Sequence, residues 1–472
     1  MGATPARVAV VGAGISGLVA AHRLRALLGP GAAITVVEQS DRVGGKLRTA
    51  ELAGTRVDVG AEAYLARRPE VGALLAELGL ADEVRHPSAA RSTVRADGVT
   101  RLIPGGTVMG LPTSADAVAE VLSEDGARRV AAEPDLPPVA WDGDAVLGPL
   151  LRERFGAELP DRLVDPLLGG VYAGGVDSLG LRATLPAVAK ALDDGAPSLT
   201  AAAAAHAPKP TGQPVFGALA SGYGALVDAL VRSAAARLRL SVPVRELART
   251  AEGWRLTLGS AAAAHAPDDP VLDVDAVVLA VPAPAARKLL ADVVPVAAAA
   301  YGRVEVASMA VVALALPAGT ELPGTSGVLL ARGERKLDGS PFAAKAFTFS
   351  ASKWPHLRTP DDLVVIRGSV GRFGEPGALR ADDDELVRLV RADLVELTGV
   401  TAPPVEAVVT RWGGGLPQYG AGHGDLVDAV ERAVAAEPGL AVAGATLHGV
   451  GVPACVATGE AAARRVAEHL RR

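Results

Sequence analysis

At 472 residues the chain exceeds a single ordinary hydrophobic core, so about two or three domains are expected. Apolar residues at 49% and charged residues at 21% exclude a disordered chain, and a net charge of −6 without a basic run excludes a nucleic-acid surface. The one cysteine, Cys455, excludes an internal disulfide framework, and no Cys/His cluster has metal-ligand spacing, so a metal-free protein in a reducing, cytoplasmic setting is expected.

The start of the chain carries the strongest signal. Met1-Gly2 opens like a myristoylation site, but Ala6 stands where serine or threonine is needed. Val8-Ala9-Val10-Val11 then reads as a buried strand running into Gly12-Ala13-Gly14-Ile15-Ser16-Gly17. Glycines here permit a tight turn and let backbone approach a pyrophosphate, while the helix that follows presents its N–H groups to the same anion. Ile15, Leu18, Val19, Ala21, Leu24 and Leu28 give that helix an apolar stripe at helical spacing. A second strand, Ile34-Thr35-Val36-Val37, ends at Glu38, where a carboxylate can take the hydroxyls of an adenosine ribose. This order of parts predicts a dinucleotide site but does not separate NAD from FAD. Gly44-Gly45 follows at once, and Asp58-Val59-Gly60-Ala61 comes after a short strand at 55–57. Two glycine turns so close together predict a chain that crosses an extended ligand such as FAD more than once.

Further along, residues 69–80 read as a helix with Val71, Leu74, Leu75 and Leu78 on one face. Residues 94–113 suggest a hairpin leading into a loop, and 114–122 a helical pattern. The charged, proline-bearing stretch 124–144 reads as a long irregular connection. Helices are expected at 147–151 and 159–168. Residues 196–214, with alanines 201–205 and Pro208, Pro210 and Pro214, read as a connection between domains. A helix is predicted over 222–240 through Leu226, Leu230, Ala234 and Leu238, followed by strands at 241–247, 254–258 and 271–281. Strands at 304–316, 325–331, 343–350 and 363–370 point to a mostly antiparallel sheet, with an amphipathic helix at 383–397 and a last buried strand at 440–444. No stretch reaches the ~18 apolar residues of a membrane span. The nearest, 304–316, contains Glu305, so no integral membrane segment is expected and peripheral contact stays open. After Gly449-Val450-Gly451-Val452-Pro453 a final helix runs to the end. Pro453 suits a first helical turn, whose unpaired N–H groups would favour the negative pyrimidine end of a reduced flavin.

Several stretches then resemble a known family. Arg42-Val43-Gly44-Gly45-Lys46 resembles the glycine-pair motif of the flavin-containing amine oxidase superfamily. Asp165-Pro166-Leu167-Leu168-Gly169-Gly170-Val171-Tyr172-Ala173-Gly174, Phe347-Thr348-Phe349-Ser350-Ala351-Ser352-Lys353-Trp354-Pro355-His356, Leu416-Pro417-Gln418-Tyr419 and residues 449–455 are similar to the protoporphyrinogen/coproporphyrinogen oxidases. The likeness covers essentially the whole chain in order, and is greatest to the Gram-positive-type branch that acts on coproporphyrinogen III.

This resemblance implies a mixed α/β (α+β) fold. Its parts would be a discontinuous, Rossmann-like FAD-binding domain (1–97, 215–295 and 430–472), a helical insertion (98–210) that lies against the bilayer in membrane-bound relatives, and a sheet-based substrate domain (296–429). It implies non-covalent FAD held by Gly12, Ala13, Gly14, Ile15, Ser16, Gly17, Glu38, Gln39, Lys46, Gly60, Ala61, Glu62, Ala63, Val244, Trp412, Gly451, Val452 and Pro453. No side chain is expected to be catalytic, because the flavin itself removes hydride from the tetrapyrrole and passes the electrons to oxygen, releasing hydrogen peroxide. Arg68 is the expected propionate partner, with Lys345 and Arg67 in support; Phe349, with Phe347 and Tyr172, could flank the ring. His423 and His448 are expected to be structural. The partners implied are the tetrapyrrole, molecular oxygen and a transient haem-pathway protein that receives the porphyrin. Rival readings are a protoporphyrinogen IX oxidase, another flavin amine oxidase-type superfamily member such as an amine oxidase or a carotenoid desaturase, and a porphyrin or flavin carrier without turnover.

Overall fold

The computed structural model describes residues 5–207, 212–259, 269–357 and 363–472. Its centre is a five-stranded parallel sheet in the order Arg237–Arg239, Ala33–Val37, Arg7–Val11, Ala276–Leu279, Leu440–Val442. Val8, Val10, Val36, Val277 and Val278 in these strands are fully buried, as expected of a parallel sheet covered on both faces. One face carries the helices Ile15–Leu28, Gly224–Ala234 and Val452–Leu470. The other carries Ala283–Leu290, Pro295–Gly302 and the antiparallel meander Val244–Arg249, Trp254–Leu258, Val271–Val274. Strands from the start, middle and end of the chain thus share one sheet, which places the two glycine-rich turns at one rim.

A seven-stranded sheet forms the second layer, in the order Glu406–Pro417, Val306–Leu316, Val364–Val370, Ala344–Thr348, Gly327–Leu330, Thr93–Ala96, Val99–Leu102. It is antiparallel except where Gly327–Leu330 meets Thr93–Ala96. Helix Asp383–Thr398 buries Leu386, Val390 and Leu394 against one face of it. Asp382 caps this helix by accepting from the Glu385 amide, and Gly399, in the left-handed region at φ 74°, ends it. The third body is helical, with its own core around Leu147, Leu151, Phe155, Leu163, Leu168, Leu181, Val188 and Leu199.

Four local expectations need correction. Residues 124–144 are not irregular throughout: Ser123 accepts from the Gly126 amide and starts a helix at Glu124–Ala132. Capping outweighs the apparent break left by the charges. The alanine run is likewise helical at Leu199–Ala205, because Ser198 caps it and the buried Glu133 carboxylate accepts from the Leu199 and Thr200 amides; Pro208 and Pro210 lie outside the described residues. The helix over 222–240 stops at Ala234, since Ala235 turns left-handed (φ 44°) and Leu238 enters the parallel sheet instead. Residues 114–122 form only a short 3₁₀ turn, Asp116–Val118. Among the described residues no helix is long and apolar enough to cross a membrane.

Candidate active site

The rim of the parallel sheet is made of close backbone contacts that side chains would obstruct. A Cβ on Gly17 would lie 1.9 Å from the Gly12 carbonyl oxygen, and one on Gly12, at φ +100°, would lie 2.4 Å from that of Ala280. A Cβ on Gly14, by contrast, meets nothing within 4 Å, so this glycine borders open space. The helix it starts has no side-chain cap and no acid in its first turn. Glu38 closes onto this turn: its carboxylate accepts from the Ala13 amide (2.8 Å) and from the Ser40 amide (2.9 Å) and hydroxyl (3.0 Å). Gln39 beside it is exposed. Amides of Ser241 and Val242 bond to the Ser40 and Glu38 carbonyls, which brings the strand that starts at Val244 alongside.

The glycine pair packs on the first turn, with the Gly44 amide donating to the Ala13 carbonyl at 2.8 Å. Lys46 follows. Its ammonium is largely buried, has no hydrogen-bond or ion-pair partner among the described residues, and is pushed down in pKa by burial, against the pull of Cys455. Around it stand Gly60, Trp412 and Gly415. Trp412 donates its Nε1 to the Val59 carbonyl at 3.1 Å and carries the Arg42 guanidinium over its ring. The last helix crosses the first at this point: Ser16 Oγ donates to the Cys455 carbonyl (2.9 Å), and Gly459 lies against the Ser16 backbone. Its start, at Gly451, also lacks a side-chain cap and acids. Since Pro453 has no N–H, Val452 and Ala454 are the first-turn amides free to face an anion.

Glu62 is one of the expected FAD contacts, but its carboxylate is taken up in an ion-paired seam that was not expected. Glu62, just beyond Gly60, turns inward to a seam with the seven-stranded sheet. Its carboxylate meets Lys353 Nζ (2.9 Å), Arg367 (3.2 Å) and the Ser350 hydroxyl (3.0 Å), while Arg367 also donates to the Gly60 carbonyl at 2.8 Å. Burial works against the charged form, but the two cations outweigh it and hold Glu62 well below the usual carboxylate range. The lone acid in the apolar run Gly60-Ala61-Glu62-Ala63 was the available signal.

The residues expected to meet substrate are dispersed. Arg68 precedes the helix Pro69–Glu77, is half-exposed, and pairs with Glu70. Lys345 is 4% exposed and donates to the Gly169 carbonyl at 2.8 Å; burial, aided by the Arg372 charge, pushes its ammonium down to about 7. Phe349 leaves its strand as the chain turns into Ser350–Lys353 and is 1% exposed in the same core as Phe347. Neither Lys345 nor Phe349 therefore presents a free surface. Tyr172 packs on Tyr419, which stacks on the buried His423; His448 is exposed beside Glu431.

The two uncapped helix starts, the open space at Gly14 and the unpaired Lys46 fit an extended anionic cofactor lying from one glycine turn to the other. The profile of the flavin-containing amine oxidoreductases matches residues 15–467. The chain belongs to that family. It is a flavoprotein oxidoreductase whose cofactor is FAD. Coproporphyrinogen III oxidases of Mycobacterium leprae (44% identity, 95% of each chain) and Mycobacterium tuberculosis (43%, 99% of this chain and 98% of the relative) are among its relatives. That of Bacillus subtilis is 29% identical over 96% of each. In three dimensions the chain is similar to a crystal structure assigned as a protoporphyrinogen oxidase from Exiguobacterium sp. 255-15, with TM-score 0.85 and 29% identity over all of both chains. Cyclohexylamine oxidase from Brevibacterium oxydans shares the fold at TM-score 0.67 and 17% identity.

Proposed function

We propose that the chain is an oxygen-using coproporphyrinogen III oxidase that forms coproporphyrin III and hydrogen peroxide in haem biosynthesis. The observation that carries this reading is the 44% identity with the Mycobacterium leprae coproporphyrinogen III oxidase, spread over 95% of both proteins. Bound non-covalently, the flavin would supply hydride abstraction and electron transfer to oxygen. The chain's own residues bind and orient. Lys46 offers a cation to the pyrophosphate, and Glu38, already fixed by three donors, has lone pairs left for ribose hydroxyls. The start of the last helix would favour negative charge on a flavin ring held there, which would ease its reduction. Arg67 and Arg68, both exposed, are available to substrate propionates.

The same reading divides the chain into a discontinuous cofactor domain, a sheet-based substrate domain and a helical insertion, and places the reaction in the cytoplasm with a transient acceptor for the porphyrin. The test is to purify the flavoprotein and supply coproporphyrinogen III and protoporphyrinogen IX separately under air. Faster growth of porphyrin fluorescence with coproporphyrinogen is expected. Equal or reversed rates would assign the activity to protoporphyrinogen, and a yellow protein inert to both would make it a carrier or a different oxidase.

A further inference from the structure

In Leu416-Pro417-Gln418-Tyr419 the strand Glu406–Pro417 ends and the chain continues past it through Gln418 and Tyr419. Gln418 and Tyr419 are 4% and 2% exposed. Their side chains hold two different segments. Gln418 Nε2 donates to the Tyr172 carbonyl at 2.8 Å, in the turn 169–175, which is the last turn of helix Asp165–Tyr172 and the residues that leave it. The Tyr419 hydroxyl donates to the Ala445 carbonyl, in the loop that leads to Gly451 and the last helix. Supporting bonds fix the pair itself: the Gln418 amide donates to the Glu305 carbonyl (2.9 Å), and the Tyr419 carbonyl accepts from the Gly180 amide (2.7 Å).

Both held segments depend on such anchors. Turn 169–175 contains Ala173 at φ 52°, the left-handed cap that ends helix Asp165–Tyr172, a conformation uncommon for a residue other than glycine. Its Gly169 and Ala173 carbonyls are also taken from the seven-stranded sheet side, by Lys345 Nζ (2.8 Å) and the Phe373 amide (2.6 Å). A Cβ on Gly174 would lie 2.1 Å from Gln418 Oε1, so turn and side chain fit in one arrangement. On the other side, His423 stacks on Tyr419 with ring centroids 4.0 Å apart and shares a hydrogen bond with the Leu447 carbonyl at 3.3 Å. Leu329 of the seven-stranded sheet and Val450 of the loop pack against the helical core that contains both Tyr172 and Tyr419, and Leu329 also borders Gly170. The turn and the loop therefore border the same region.

We propose that Gln418 and Tyr419 are paired positioning residues: Gln418 sets the turn 169–175 as a wall for the tetrapyrrole, and Tyr419 sets the loop 444–451 that aims the last helix at the flavin ring. The substrate half of this inference rests on the proposed function; the loop half rests on the flavin site alone. Displacements on the order of 1 Å matter for such positioning.

The test uses the FAD-loaded enzyme with Gln418→Met and Tyr419→Phe. Gln418→Met is expected to raise KM for coproporphyrinogen III about fivefold, with kcat and the flavin absorbance unchanged, and to speed amide exchange of residues 169–176 about tenfold. Gln418→Asn, whose amide is one methylene short, should move KM in the same direction. Tyr419→Phe is expected to shift the visible flavin bands and lower kcat about fivefold at constant KM, with faster exchange in 444–451 but not in 169–176. Equal changes in KM and kcat in both variants, or exchange rising across the whole chain with an unmoved flavin spectrum, would overturn the assignment. Exchange and absorbance are read without substrate, so a wild type inert to coproporphyrinogen would sink the functional reading and the substrate half with it, while these two measurements would still decide whether Tyr419 positions the loop 444–451 at the flavin.

Discussion

The glycine turn at 12–17 and the seam around Glu62 both pack on the glycine-pair segment Gly44–Lys46 but are built from opposite materials. The turn is backbone against backbone, with no charged side chain in its packing except Glu38 at the edge. The seam is a buried carboxylate between two cations, Lys353 and Arg367, drawn from segments about three hundred residues away. One region therefore fails when an atom is added, the other when a partner is removed.

The largest effect is expected from Gly17→Ala. The added Cβ would lie 1.9 Å from the Gly12 carbonyl oxygen, and that contact is with backbone, which cannot swing aside as a flexible side chain can. A loss of more than about 4 kcal/mol of stability is expected. Purified protein should be colourless, measured as flavin absorbance per mole of protein and by thermal unfolding. A yellow, stable Gly17→Ala would mean that the turn is not close-packed.

Next comes the seam. Glu62→Ala leaves two cations facing each other in a buried space, at a cost of about 3–5 kcal/mol. The triple variant Glu62→Leu, Lys353→Met, Arg367→Met should recover most of that in urea unfolding, because an apolar seam pays no desolvation. The Gly60 carbonyl would still lose its donor, so flavin affinity should recover less than stability does. If the triple variant remained as unstable as Glu62→Ala, stranded charge would not be the cause.

Asp58 gives a pH-dependent contrast to Glu62 only four positions away. Burial pushes its carboxyl from 3.8 up to about 6, despite hydrogen bonds from the Thr49 hydroxyl (2.6 Å) and the Tyr223 amide (3.0 Å). The folded state thus holds the proton more tightly than the unfolded state does. That contribution is complete below the unfolded value and is lost as pH rises through about 6, for a total of at most about 3 kcal/mol. Asp58→Asn keeps an acceptor for both donors, so its stability should be flat between pH 4 and 6 where the wild type declines. An unchanged slope in urea titrations across that range would remove Asp58 as its source.

How legible each region was follows from the same difference. The turn was readable because its requirements are local: strand, glycines, helix and terminal acid lie within one short stretch, and each demand falls on a residue type. The parallel sheet could be anticipated from β-branched runs stopped by glycine or proline. The seam could not, since nothing near Glu62 in sequence says that Lys353 and Arg367 will face it. Lys345 and Phe349 show a related limit. Charge and ring suit a tetrapyrrole, but a strand alternation cannot show that Lys345 meets the Gly169 carbonyl or that Phe349 turns into the core. Caps work in the opposite direction to composition: Ser123 and Ser198 each start a helix where composition suggests a connection.

Arg68 is where the smallest effect on the fold meets a distinct effect on function. It stands before a helix, half-exposed, its guanidinium shared with Glu70, which keeps that carboxyl below its ordinary value chiefly through the hydrogen bond. Such surface pairs contribute about 0–1 kcal/mol, so Arg68→Ala should leave thermal unfolding and flavin content nearly as they were. If the guanidinium also meets a propionate, KM for coproporphyrinogen III should rise about tenfold while kcat holds, because the interaction lies far from the reacting carbon. Glu70→Gln separates the two partners. Releasing Arg68 from its neighbour should lower KM, if the arginine is shared between Glu70 and substrate. An Arg68→Ala enzyme with unchanged KM would reduce Arg68 to a solvated residue before a helix and pass the propionate role to Arg67.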